Sequence, residues 1–294
     1  MKHRVSASDT PQVLGLDKYS APQWLAARAN RRFHVMAKPA GSACNLDCAY
    51  CFYLSKRVLP GGPGSGHMPD EVLERFVKDY IDSVTSDEVV FSWQGGEPTL
   101  LGLEFFEKVV TLQAKHAKPG QRIENDLQTN GTLLDDDWAR FLKQHRFLVG
   151  LSIDGPREIH DHCRITKHAE PTFDQVFAAA KMLQKHGVRF NTLTCVHRYN
   201  ASRPLDVYRF LRREIGSTYI QFIPIVEIRG FENMAPGTWD EAKLPMLGDP
   251  RCHPDHPESV VTPWSVAAEE YGYFLSKIWD EWQARDVGKV LVNL

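Results

Sequence analysis

Apolar residues in this chain follow two alternating patterns. Compact runs of five to eight residues fall at 33–38, 89–93, 123–129, 147–153, 189–196 and 219–225. Such runs, rich in Val, Ile and Phe and bounded by Gly, Pro, Asn or Asp, predict strands. Between them apolar residues recur every three or four positions, the spacing of one helix face. Val72, Phe76, Tyr80, Ile81 and Val84 predict a helix over 70–85, with Pro69 ahead of it. Further helices are predicted over 102–116, over 136–145 with Asp135 as cap, over 173–186 ending at Gly187, and over 204–214 ahead of Gly216. The stretch through His160, His162, Cys163 and Arg164 reads as a loop.

Six strand–helix alternations at short intervals predict a parallel sheet with crossover helices. The runs are nearly continuous in apolar character, as a sheet covered on both faces requires. Six strands fall short of a closed eight-stranded barrel, so the expected architecture is α/β, a partial (β/α)6 TIM-like barrel over 33–226. Residues 1–32 form an uneven polar extension with a short helix near Trp24–Arg31. Residues 227–262 are rich in Pro, Gly, His and acids and predict a long loop over or beyond the barrel mouth. A last helix is expected over 264–285, with Thr262 as cap and Pro263 in its first position, and Val290-Leu291-Val292 has the pattern of a further strand.

Composition narrows the function classes. With 43% hydrophobic and 24% charged residues the 294-residue chain reads as an ordinary globular protein. A net charge of −2 gives no footprint for a nucleic-acid or polyanion partner. No apolar run approaches the length of a membrane span, and the first residues lack an apolar secretory core. The expected location is cytoplasmic, where clustered cysteines read as metal ligands rather than disulfides.

Three of the six cysteines stand in Cys44-Asn45-Leu46-Asp47-Cys48-Ala49-Tyr50-Cys51. Thiolates suit iron–sulfur clusters or zinc. No further Cys or His follows closely enough to complete a local four-ligand site, which a structural zinc would require. Three thiolates on a [4Fe–4S] cluster leave one iron open for a ligand, and this is the reading adopted; zinc completed by a distant residue is the alternative. The glycine-rich stretch 60–66 lacks the Gly-Lys-Ser/Thr ending of a phosphate loop and reads as a surface loop. Cys163, Cys195 and Cys252 are isolated, and Cys195, inside a strand, reads as a buried small apolar residue.

The spacing Cys-x3-Cys-x-Tyr-Cys resembles the signature of the radical S-adenosylmethionine (SAM) enzymes. The wider wording, from Lys38-Pro39-Ala40-Gly41-Ser42-Ala43-Cys44 through Cys51-Phe52-Tyr53, resembles the anaerobic sulfatase-maturating enzymes. The resemblance implies Cys44, Cys48 and Cys51 as ligands of a [4Fe–4S] cluster whose open iron takes SAM. It implies Gly96, in Gly95-Gly96-Glu97-Pro98, against the methionine part of SAM and Tyr50 near the adenine. Ser152, Arg164 and the backbone of Val226 match its other SAM contacts, and Gln128-Thr129-Asn130-Gly131 recurs in the family. The implied reaction is reductive cleavage of SAM to a 5′-deoxyadenosyl radical that oxidises a Cys or Ser of an unfolded sulfatase polypeptide to Cα-formylglycine. A flavodoxin- or ferredoxin-type protein would donate the electron. The alternatives are another peptide-modifying radical enzyme, making a crosslink or epimer, and a non-catalytic iron–sulfur protein. The resemblance covers about 33–294 but only the N-terminal part of the family's architecture. The extension that carries two auxiliary clusters and the proton-accepting Asp lies beyond it, so a fragment or a shortened homologue is expected, and no catalytic proton acceptor is assigned.

Overall fold

A computed structural model describes residues 33–51, 53, 67–230, 245, 246 and 248–293. The expectations for residues 1–32 and for the glycine-rich stretch 60–66 lie outside the described residues.

Seven strands form one sheet in sequence order, every neighbouring pair parallel. They are β1 (Val35–Ala37), β2 (Glu88–Trp93), β3 (Arg122–Thr129), β4 (Leu148–Ser152), β5 (Arg189–Val196), β6 (Tyr219–Pro224) and β7 (Leu291–Asn293). The main crossover helices are α1 (Asp70–Ser83), α2 (Leu103–His116), α3 (Asp136–Gln144), α4 (Arg157–Cys163) and α5 (Phe173–Lys185). They are followed by α6 (Arg198–Ala201), α7 (Pro204–Arg209, running on as a π turn over Phe210–Glu214) and α8 (Ala268–Arg285). The predicted partial α/β barrel is the observed fold. The sheet continues past residue 226, because β7 pairs with β6 and α8 places Phe274 and Ile278 in the same core.

The strands are not covered alike on both faces. Val89, Phe91, Trp93, Leu127 and Val149 pack outward into a core shared with α1–α3. Ile220 and Phe222 do the same with α7 and α8. The alternate positions, among them Ser92, Asp126, Gln128, Ser152 and Gln221, are polar and point to the other face by the two-residue period of a strand. The expectation of continuously apolar strands is therefore corrected: β3, Arg-Ile-Glu-Asn-Asp-Leu-Gln-Thr, turns a polar side to the barrel interior.

Three boundaries also differ from expectation. The buried stripe of α1 is Leu73, Val77, Tyr80 and Ile81, so Val72 stands 47% exposed at its rim. The stretch through His160 and His162 is helical: Pro156 precedes its first turn, Glu158 lies in that turn where a carboxylate complements the helix dipole, and Ile159, His160 and Cys163 make its buried face. The last helix starts at Ala268, not near Pro263. Residues 262–266 are held instead by the chain leaving β6, with Thr262 N donating to Glu227 O at 2.8 Å and Val266 N to Ile225 O at 2.9 Å. The described part of the 227–262 segment makes a bridge, Ile228 to Val261, and a short 3-10 turn at Pro250–Cys252. No helix among the described residues is long and apolar enough to cross a membrane.

Candidate active site

The chemistry-bearing segments follow the C-terminal ends of the strands, the rim where ligands gather in parallel α/β folds. The cysteine loop leaves β1 and is held on two sides. On one side Asp47 N donates to Ile165 O and Ala49 N to Cys163 O, both at 2.9 Å, and Leu46 bridges to Thr166. On the other, Gly96 N donates to Gly41 O at 2.9 Å and Glu97 N to Ala43 O at 2.7 Å.

This second contact explains the glycine pair. A Cβ on Gly96 would stand 2.1 Å from Ala43 O, and one on Gly95, whose φ is +127°, would stand 2.7 Å from Gly41 O. The close approach that these glycines permit is first to the chain's own cysteine loop, rather than to a ligand alone. Glu97, fully buried, fixes the far end of the turn. Its Oε1 accepts from Thr99 N (3.0 Å), Thr99 Oγ1 (2.6 Å) and Thr129 Oγ1 (2.8 Å), and its Oε2 from Asn130 N (2.7 Å). Burial pushes this carboxyl up from its ordinary value, against the pull of those donors.

A cavity of about 580 Å³ lies between these loops. Cys44, Cys48, Cys51, Tyr50, Gly96, Ser152, Arg164 and Val226 all line it. Gln128 and Cys195 line it too: Gln128 Nε2 donates to Ser152 Oγ at 2.8 Å, and Arg164 Nη2 approaches Cys195 Sγ at 3.8 Å. Cys195 is thus half-buried in the cavity wall, which corrects its reading as core filler. Among the described residues no three of His, Cys, Asp and Glu converge closely enough to hold a single metal ion. The three thiols line this one cavity, and thiolates are the donor type that iron–sulfur clusters take. Burial pushes the Cys48 thiol up to about 12 although Arg164 pulls the other way. Ligation would therefore have to displace that proton to solvent, the metal's charge taking its place on the sulfur. A larger open groove of about 700 Å³, lined by Phe33, Val35, Phe76 and Tyr80, lies on the outer side of β1 and α1, away from all of these groups.

Beneath the cavity sits a buried charge pair. Asp154, wholly buried just beyond β4, accepts from Arg164 Nε (2.9 Å) and Nη2 (3.2 Å), from Cys195 N (3.0 Å) and from the Tyr50 hydroxyl. Burial alone would raise its carboxyl; Arg164, then His197, outweigh burial and hold it below the ordinary carboxylate range. Arg164 thus clamps a carboxylate of the chain itself through Nε and Nη2, and Nη1 is the nitrogen that Asp154 does not use. Tyr50 is sandwiched in the same knot, its ring stacked on His197 at 5.3 Å. Asp154 and Glu97 carried no role in the sequence reading. Asp154 stands two residues past the end of β4 and Glu97 four past the end of β2, beside residues already of interest, and that placing is the signal that could have found them.

Two buried histidines complete the knot. His160 Nδ1 accepts from Asp154 N at 3.4 Å, and its Nε2 faces Thr172 Oγ1 at 3.1 Å. Burial pushes His160 down to about 3 and His197 down to about 4. Between the unfolded-state value of about 6.5 and those folded-state values the unfolded chain binds more protons, so stability falls as pH falls through that window. Denaturant unfolding of the apo-protein at pH 5 is expected to show a loss of roughly 2 kcal/mol per histidine relative to pH 7.5. Equal midpoints at the two pH values would show that these imidazoles are not held neutral.

A sequence model described as the radical SAM superfamily matches residues 39–211. A serine-type anaerobic sulfatase-maturating enzyme of Bacteroides thetaiotaomicron is 42% identical over 261 residues, which are 89% of this chain and 60% of the relative. A cysteine-type enzyme of Clostridium perfringens is 45% identical over 215 residues, 71% of this chain and 57% of the relative. A solved structure, native anSMEcpe with bound AdoMet and Cp18Cys peptide, superposes with a TM-score of 0.71 at 36% identity, covering 88% of this chain and 62% of that one. The chain thus spans about six-tenths of the length of these relatives. The family match runs from the exit of β1 to the turn after α7, so it takes in the three-cysteine loop, the glycine turn and the buried charge pair together, and the chain belongs to the radical SAM superfamily.

Proposed function

We propose that this chain is the radical-generating part of an anaerobic sulfatase-maturating enzyme, converting a Cys or Ser of an unfolded sulfatase polypeptide to Cα-formylglycine. The observation that carries the reading is the shared cavity. Eight residues from the loops after β1, β2 and β6, from the last position of β4 and from the end of α4 line one space of about 580 Å³, a volume suited to a nucleoside-sized ligand. Relatives named for sulfatase maturation, and a solved relative holding both AdoMet and a peptide, support the choice of substrate class.

The residues fit the cofactors by their chemistry. Cys44, Cys48 and Cys51 are soft donors that would hold three irons of a [4Fe–4S] cluster and leave the fourth open. The backbone beside Gly95 and Gly96 would take the amino-acid end of SAM. The Ser152 hydroxyl and Arg164 Nη1 offer donors to its polar groups, and the Tyr50 ring and Val226 backbone would flank the adenine. When bound, the reduced cluster and SAM supply a 5′-deoxyadenosyl radical able to remove a hydrogen atom from the substrate. The protein's own work is placement: the Asp154–Arg164 pair holds Tyr50 and leaves a fixed guanidinium edge for the ligand. A flavodoxin- or ferredoxin-type donor in the cytoplasm completes the proposal.

Anaerobic reconstitution with iron and sulfide, followed by dithionite and SAM, tests it. Wild type is expected to release 5′-deoxyadenosine, and Cys48→Ala to fall at least about a hundredfold, since loss of a ligand removes the cluster. Incubation with a sulfatase peptide is expected to give a two-hydrogen mass loss at a target Ser, or, at a target Cys, loss of two hydrogens together with exchange of the sulfur for an oxygen from water. A crosslink or a change of stereochemistry there would overturn the maturase reading, and wild-type protein that binds zinc without iron or sulfide would overturn both.

A further inference from the structure

Asn130, the first residue beyond β3, is 7% exposed and has its backbone N–H and both side-chain polar atoms engaged. Its N–H donates to Glu97 Oε2 at 2.7 Å. Its Oδ1 accepts from Thr132 N at 2.9 Å and Thr132 Oγ1 at 2.8 Å. Its Nδ2 donates to Asn45 Oδ1 at 2.9 Å and to Cys44 Sγ at 3.8 Å. The orientation of the amide follows from these partners. Turned over, it would set Nδ2 against the Thr132 N–H and its oxygen against the Asn45 oxygen, two like-for-like clashes. Asn45 is fixed in turn, because its own Nδ2 donates to Thr132 Oγ1 at 2.8 Å. Cys44 Sγ also accepts from Leu46 N at 3.4 Å. The sulfur therefore receives one side-chain and one backbone N–H, and the side-chain donor hangs from the residue that clasps the buried Glu97.

We propose that Asn130 is a positioning residue for the cluster: by donating its amide proton to the Cys44 sulfur it sets the potential at which the cluster takes up its electron. The inference rests on the cluster reading given above. A donor aimed at a ligating sulfur draws charge from the thiolate and favours the reduced, more negative cluster. Glu97, a buried carboxyl whose hydrogen-bond partners among the described residues are Thr99, Thr129 and Asn130, none of them a cation, acts in the opposite sense from the far side of the same residue. Asn130 thus stands between a group that disfavours reduction and the sulfur that must carry part of the added charge.

Two variants separate this role from loop building. Asn130→Asp keeps the oxygen that Thr132 needs and replaces the donor with an acceptor. Asn130→Ser is neutral, supports the same kind of turn, and is too short to reach the sulfur. Each is reconstituted anaerobically, assayed for iron and sulfide, and titrated with EPR detection of the reduced cluster. With iron and sulfide equal to wild type, the equilibrium constant for reduction is expected to fall about tenfold in Asn130→Asp, a shift of about 59 mV for one electron. Asn130→Ser is expected to shift about threefold in the same direction. Unchanged midpoints in both variants overturn the inference. Loss of iron from both also overturns it, by assigning Asn130 to the fold of the loop alone. Wild-type protein that carries a reducible cluster but releases no 5′-deoxyadenosine would sink the functional reading while leaving the comparison of midpoints intact.

Discussion

Gly96→Ala is expected to leave a folded barrel that no longer holds its cysteine loop. The added methyl would stand 2.1 Å from Ala43 O and 2.6 Å from Ala43 C, so it meets backbone rather than a side chain that could swing aside. Relief requires the segment at Ser42–Ala43 to move, and Cys44 moves with it. Two bonds that clamp the loop, Gly96 N to Gly41 O and Glu97 N to Ala43 O, are strained or lost together. Overpacking of this kind costs about 3 kcal/mol or more where the neighbour cannot yield. Iron content after reconstitution is the measurement, with less than half of wild type expected. Gly41→Ala is the control. Its Cβ would meet nothing within 4 Å, and it carries only the penalty of a φ of +58°, about 1 kcal/mol. A Gly96→Ala protein that loads iron normally would show that the two loops do not depend on this contact.

Asp154→Asn is expected to be the most destabilising isosteric change in the site. It leaves the Arg164 guanidinium charged, 7% exposed and without its carboxylate, and removal of one member of a buried pair costs about 3–5 kcal/mol. The Tyr50 hydroxyl loses its charged acceptor at the same time. Thermal unfolding is expected to shift down accordingly, and the KM for SAM to rise at least about tenfold, the equivalent of one such hydrogen bond. The double variant Asp154→Asn with Arg164→Gln removes the orphaned charge, so it is expected to recover part of the stability without recovering SAM binding. Additive losses in that cycle would show that the two groups are not coupled.

The fold was largely legible because strand and helix periods differ and the breakers are well placed. Gly187 ends α5 with a φ of +64°, and Asp135 caps α3 by accepting from Trp138 N, both as their positions suggest. The seventh strand was visible only as three apolar residues. The helix over Arg157–Cys163 escaped because its buried face is made by Ile159, His160 and Cys163, which do not stand out as an apolar stripe. Of the site, sequence gave the motif residues, and their shared cavity is a result of the fold. What it could not give is the support beneath them. Asp154 and Arg164 lie ten residues apart across a helix, and Glu97 reaches Asn130 over 33 positions. Pairings of that kind are decided by strand order, not by local spacing. Arg164 shows the limit of motif reasoning: its position is the expected one, but its principal partner is a carboxylate of the chain itself.

The division of the sheet into an oily outer side and a hydrophilic inner side has a bearing on how such a molecule can diversify. Packing energy resides where the helices lie, while Gln128, Ser152, Cys195 and Ile223 face the hollow and contribute little to it. A lineage could rewrite those inward positions, and so change which molecule it accommodates, without first having to repair the scaffold.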